Sequence, residues 1–150
     1  VVYHTRFAQN NPIEGHEVRV HQLWLNDEGW PVAAPFEYTG ETLPKNGYAA
    51  ADIAGDYEFA IHTPGQYYHV SGANVLGVIT PKNITLTADG KITGEVTGTW
   101  KSEGTSVTLT IDGIDYNGVA IKQPTEKAPR NEKMCLTLEG ENVAVWAIQK

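Results

Sequence analysis

From residue 55 onward this chain repeats one pattern: a short run in which apolar and polar residues alternate, then a break of a few residues holding Gly, Asp or Asn. Runs at 56–61, 83–87, 92–100, 106–111, 115–121, 133–138 and 142–148 put every second side chain on one face, the period of a half-buried β-strand. The breaks Asp89-Gly90, Asp112-Gly113 and Glu139-Gly140-Glu141 carry residues that tolerate the positive φ of hairpin turns. A further apolar run at 75–79 ends before Pro81. Strands joined by such short turns describe an antiparallel up-and-down sheet. An open sheet of that size would leave two edges unpaired, and closure into a small barrel removes them. Gly94 and Gly98, inside the 92–100 run, mark a bulge or sharp bend of the kind barrel corners need.

The segment before residue 38 is organised differently. Three short strands are expected at 1–7, 17–25 and 30–35, the last two joined by the turn Asn26-Asp27-Glu28-Gly29. A three-stranded ribbon leaves one face and both edges open, so something must be stacked on it. The chain also opens in mid-strand, with Val1 and Val2 and no basic leader, and is read as the C-terminal piece of a larger protein. Periodicity is lost over 37–46, which contains Gly40 and Pro44, and the domain boundary is placed there, giving 1–38 and 39–150. The stretch 49–54 has room for one helical turn, too short to organise anything.

Hydrophobic residues make up 41% of the 150, enough for a core, which excludes a disordered chain. Eleven Lys and Arg against 18 Asp and Glu give a formal charge of −7 without a basic stripe, which excludes nucleic acid as a partner. No apolar run is long enough to cross a bilayer as a helix, so no membrane partner is expected. The lone Cys135 lies in the alternating run 134–138 and reads as a buried, inert thiol. An acidic, Cys-poor, Thr/Asn/Gly-rich chain is compatible with a secreted bacterial protein.

Two parts of the chain resemble a known family. Tyr3-His4-Thr5-Arg6-Phe7, the His16 to Gln22 stretch and Asn26-Asp27-Glu28-Gly29-Trp30-Pro31-Val32 resemble the last blade of the five-bladed β-propeller of family 43 glycoside hydrolases, the endo-1,5-α-L-arabinanases in particular. Gly55-Asp56-Tyr57, Gly94-Glu95-Val96-Thr97-Gly98-Thr99-Trp100, Tyr116-Asn117-Gly118-Val119 and Val143-Ala144-Val145-Trp146 resemble the accessory β-barrel that follows it. The resemblance implies an all-β fold: the closing blade strands of a propeller (1–38), then a small antiparallel β-barrel (39–150). It implies a secreted enzyme that hydrolyses arabinan with inversion, through carboxylates roughly 6.5 to 9.5 Å apart so that a water fits between them. No residue here matches those carboxylates; in the family they lie upstream of Val1, in a propeller portion that is expected to be a missing segment or a separate chain, and this fragment alone is expected to be inactive. The resemblance also places His4 as a calcium ligand, although calcium ordinarily takes six to eight oxygens.

Other residues have ordinary structural readings beside functional ones. His16 and His21, five apart, fall on opposite faces of a regular strand and do not make a metal pair with His4. Asp27 with Glu28, Glu139 with Glu141, and Asp52 with Asp56 read as solvated carboxylates at turns. Trp100, Trp146, Tyr67, Tyr68 and Tyr116 could form a platform for stacking on substrate sugars such as arabinan or arabino-oligosaccharide; Trp100 and Trp146 read as core or barrel-mouth aromatics, and Tyr67 and Tyr68, in a loop after Pro64-Gly65, are the better stacking candidates. Arg6 and Arg19 are expected to pair with acidic neighbours in the propeller. Two rival functions stand beside the hydrolase reading: an independent carbohydrate-binding module, and a lipocalin-like barrel holding an apolar ligand.

Overall fold

The computed structural model describes residues 1–6, 16–62, 69–70, 73–74 and 79–150. The first strands are β1 (Val2–Arg6), β2 (His16–Val20), β3 (Leu23–Leu25) and β4 (Pro31–Ala33), followed by the single helical turn α1 (Ala50–Ile53). Next come β5 (Gly55–His62), the two-residue strands β6 (His69–Val70) and β7 (Ala73–Asn74), β8 (Lys82–Leu86), β9 (Lys91–Gly94) and β10 (Gly98–Glu103). The chain finishes with β11 (Ser106–Ile111), β12 (Ile114–Pro124), β13 (Glu132–Gly140) and β14 (Val143–Gln149). The apolar run 75–79 lies outside the described residues up to 78.

Eight strands close a barrel in the order β5-β8-β9-β10-β11-β12-β13-β14 and back to β5, so the expected closed antiparallel sheet is what the chain builds. The last strand seals it: Ala144 to Gln149 pair with His62 to Tyr57. Inside, Tyr57, Phe59, Leu86, Ile92, Leu109, Met134, Leu136 and Leu138 are all buried, members of one continuous cluster. A barrel of eight strands is just wide enough for side chains of this size to fill it, and these bulky groups make the interior a core. α1 is tied in by the Tyr57 hydroxyl, which donates to the Ile53 carbonyl at the end of the turn.

Two expected strands divide. The 92–100 run is two strands, because Gly94 adopts φ +108° and the chain reverses before Gly98, so that Ile92 faces Gly98 across an antiparallel pair. A side chain at Gly98 would also meet the Thr110 carbonyl oxygen at 2.1 Å from its Cβ. The bend expected at these glycines is therefore a full hairpin. The 17–25 run breaks at His21-Gln22, where the His21 ring turns inward and is 6% exposed. β2 pairs with β1 and β3 with β4, and the expected three-stranded ribbon is two separate two-stranded ones.

β12 and β13 depart from simple alternation. Residues 118–121 and 134–138 are buried without a break, so both faces of these strands are covered. The inner face carries Ala120, Met134, Leu136 and Leu138; the outer carries Val119, Ile121, Cys135 and Thr137, with Val119 opposite Thr137 and Ile121 opposite Cys135. The cover is the segment from His21 to Phe36, whose Val32 and Ala34 are buried. The inner face is tight here as well: a Cβ added at Gly118, which sits opposite Leu138, would lie 1.9 Å from the Thr137 carbonyl oxygen.

Candidate functional site

The polar residues buried in this molecule lie mostly where the covering segment meets the barrel. Ala33 presents a carbonyl oxygen that accepts two hydrogen bonds, from Thr137 Oγ1 at 2.7 Å and from Trp146 Nε1 at 2.9 Å, and these two donors are cross-strand neighbours on β13 and β14. Gln123 exchanges a pair of bonds with Phe36: its Oε1 accepts from the Phe36 amide and its Nε2 donates to the Phe36 carbonyl, each at 3.3 Å. At the β3–β4 turn, Asn26 Oδ1 accepts from the amides of Glu28 and Trp30, and Asn26 Nδ2 donates to the Asn117 carbonyl. Asn117 answers with its own Nδ2 on Glu28 Oε1 at 2.9 Å. Buried polar groups left unpaired are costly, so this matched set fixes one register for the segment.

The β1–β2 ribbon is held by charge as well. Arg19 reaches Glu17 at 2.9 Å and both Glu37 and Glu126 at 3.2 Å. Two of its acidic partners, Glu17 and Glu37, lie within 1–38, the stretch expected to belong to the propeller, and the third, Glu126, lies on the loop between β12 and β13. Tyr3, opposite Arg19, points the same way and its hydroxyl bonds to His21. The other face of the ribbon carries Val2 opposite Val20 and His4 opposite Val18. Val2 is 68% exposed and Val18 67%, and at the second ribbon Leu25 is 65% exposed and Trp30 51%.

His4 is therefore an exposed residue on the ribbon face turned away from Arg19 and Tyr3. Among the described residues no group of three or more His, Cys, Asp and Glu could hold a metal ion. Calcium asks for six to eight oxygens, and Val18, the residue opposite His4, offers no side-chain oxygen. This chain's described residues do not by themselves fit the ion. Tyr67 and Tyr68 lie outside the described residues, as do the side chains of Arg6 and His16.

The remaining candidates have structural employment. Trp100 is buried and donates through Nε1 to the Thr87 carbonyl, and Tyr116 is in the core. Trp146 meets the edge of the His62 ring, with centroids 4.4 Å apart at 72°. Burial pulls the His62 imidazole below its ordinary value, and its Nε2 finds no hydrogen-bond partner among the described residues. Glu28 and Glu139 are engaged in turn contacts, and Asp56 accepts from Thr85 Oγ1. Cys135 is fully buried, and burial pushes its thiol up to about 12, the inert state expected of it. The Ala33 carbonyl junction was not legible in the sequence, where 134–138 reads as an alternating run with one covered face. No helix among the described residues is long and apolar enough to cross a membrane.

Comparison with known proteins agrees with this architecture. The extracellular endo-α-(1→5)-L-arabinanase 2 of Bacillus subtilis strain 168 is 38% identical over 148 residues, covering 97% of this chain and 29% of its own length. The extracellular endo-α-(1→5)-L-arabinanase of Thermotoga petrophila is 36% identical over 154 residues, covering 99% and 30%. Among solved structures, a glycoside hydrolase family 43 protein from Bacillus licheniformis superposes with a TM-score of 0.79 at 38% identity, over 99% of this chain and 31% of that one. The endo-1,5-α-L-arabinanase of Thermotoga petrophila RKU-1 gives 0.80 at 35%, over 99% and 31%. The chain spans about a third of the length of these relatives. With the C-terminal lipocalin-like domain of GH43 matching residues 35–147, over a closed eight-stranded barrel, this chain belongs to that glycoside hydrolase family 43 domain family.

Proposed function

We propose that this chain is the C-terminal portion of a secreted, inverting endo-1,5-α-L-arabinanase, in which residues 1–38 supply the closing strands of a five-bladed propeller and residues 39–150 form the barrel that braces it. The observation that carries the reading is the outward apolar face of the two ribbons, Val2, Val18, Leu25 and Trp30, each more than half exposed. Burying such side chains contributes about 1.5 to 3 kcal/mol apiece, a strong drive to cover them. The relatives of known length extend well beyond the matched part, so the cover is the preceding region of the same enzyme. The catalytic carboxylates belong to that region, and arabinan or an arabino-oligosaccharide is bound there.

In this reading the barrel is scaffold. Its interior is packed with side chains, which argues against an apolar ligand inside, and the matched hydrogen bonds at Ala33, Gln123 and Asn117 fix the ribbons on its outer wall. His4 is this chain's contribution toward calcium, with the oxygens and waters coming from the preceding region. Calcium, when bound, supplies fixed positive charge beneath the substrate site. Tyr67 and Tyr68 extend the sugar-binding surface.

The experiment compares residues 1–150 alone with the same chain joined to its preceding region, on linear arabinan. Activity is expected only when the preceding region is present. Hydrolysis by residues 1–150 alone would overturn the assignment. Calcium titration of the joined protein should show weakened affinity in His4→Ala, and an unchanged affinity removes His4 from the site. Retention of arabinan by residues 1–150 alone, lost in Tyr68→Ala, would favour the carbohydrate-binding module instead.

A further inference from the structure

We propose that His21 is a positioning residue: its ring latches β1, the strand carrying His4, to the covering segment, so that the barrel sets where that strand lies. This rests on the reading above that β1 faces the catalytic region.

The latch runs through five linked hydrogen bonds. Thr137 and Trp146 of the barrel hold the Ala33 carbonyl. The next residue, Ala34, is completely buried; its amide donates to the Gln22 carbonyl at 2.9 Å, and its own carbonyl lies 2.7 Å from His21 Nδ1. A carbonyl oxygen can only accept, so the imidazole proton sits on Nδ1. In the neutral ring Nε2 is then an acceptor, and the Tyr3 hydroxyl donates to it at 3.1 Å. The backbone repeats the grip, with the His21 amide donating to the Val1 carbonyl at 2.9 Å and the Val1 nitrogen donating back to the His21 carbonyl at 2.6 Å.

Two features separate this from an ordinary core histidine. The ring's partners come from 18 residues before it and 13 residues after it, so one side chain ties the β1–β2 hairpin to Ala34 of the covering segment. Of the buried polar residues His21, Asn26, Gln123 and Thr137, the last three connect the covering segment to the barrel, and His21 alone reaches on to β1. A two-stranded ribbon is marginal by itself. Beyond its internal ladder, the β1–β2 ribbon is fastened at β2 by Arg19 through charge and by the Tyr38 amide, which donates to the Val20 carbonyl at 2.8 Å, and at β1 by the directional Tyr3–His21 bond.

Two variants test it in the enzyme that contains the preceding region. His21→Asn keeps a donor near Nδ1 for Ala34 and cannot reach Tyr3; Tyr3→Phe deletes the same bond from a residue that is 43% exposed, so folding survives. Hydrogen exchange of the amides at 2–6 is expected to quicken by roughly five- to tenfold in each, with no further gain in the double variant and no change in β11–β13. On linear arabinan kcat falls severalfold while KM moves little. Unchanged exchange at 2–6 in both variants overturns the latch. Faster exchange with unaltered kcat keeps the latch and instead overturns the reading that β1 serves the catalytic region.

Discussion

The Ala33 carbonyl is shared by two barrel donors, and that sharing has a measurable signature. Thr137→Val keeps the shape of a residue that is 1% exposed and deletes the 2.7 Å bond. Trp146→Phe deletes the 2.9 Å indole bond and keeps a ring against His62. Each single loss leaves the carbonyl one donor, so each should cost about 1 kcal/mol, the net worth of one such bond. In the double variant the oxygen is stranded under the covering segment, which adds a desolvation penalty of about 1 kcal/mol beyond the sum of the singles. For a chain of this size the double variant should melt roughly 6 to 12 °C lower than the parent. The assay is a double-mutant cycle by urea unfolding, followed by tryptophan fluorescence and by circular dichroism. Strict additivity within about 0.3 kcal/mol would refute the shared-acceptor argument, because independent sites add to that precision.

Three further outcomes follow from the same coordinates. Gly118→Ala drives a Cβ to 1.9 Å from the Thr137 carbonyl oxygen and should lower the melting temperature by about 5 °C or more; a drop within error would mean that β12 and β13 separate freely. Cys135, with its thiol pushed up to about 12, should stay unmodified by iodoacetamide at mildly alkaline pH and react only after urea unfolding; labelling of the folded protein would contradict its burial. His62 is held below its ordinary value of 6.5 by burial, so below that value the unfolded chain takes up a proton that the folded one resists, and stability must fall as pH falls. The parent should therefore lose more stability between about pH 7 and 5 than His62→Leu does, and equal slopes would remove His62 from that balance.

Much of the barrel was legible because its turns are explicit. Asp89-Gly90 and Asp112-Gly113 sit where β8–β9 and β11–β12 reverse, with Gly90 at φ +82° and Gly113 at φ +81°, and the alternation between them is carried by Val, Ile, Leu and Thr. The split of 92–100 was half legible: the glycines flagged the spot, but alternation continues across it, and periodicity cannot distinguish a bend from a reversal. The break at His21 left a trace in the sequence: Val20-His21-Gln22-Leu23 sets two polar residues side by side and shifts the alternation by one, but the bonds from the His21 ring to residues 18 and 13 positions away were not readable from that slip. Arg19 could be read as half of an ion pair from its charge, yet its partner Glu126 lies more than a hundred positions downstream in a polar loop without periodicity. The resemblance to the arabinanases rested on dispersed short motifs, and the family match over 35–147 bears it out.

The pairing of β14 with β5 bears on how this polypeptide is made. As β5 leaves the ribosome, its far edge has to wait for β14, some eighty residues further on, and β12 and β13 must be in place to present that strand. Until translation passes Gln149, the nascent chain carries an open, apolar sheet rim of the kind that invites association with other chains. Vectorial synthesis therefore prolongs the need for chaperone cover until β14 has emerged, and a stop codon placed before β14 would release a product with two raw edges.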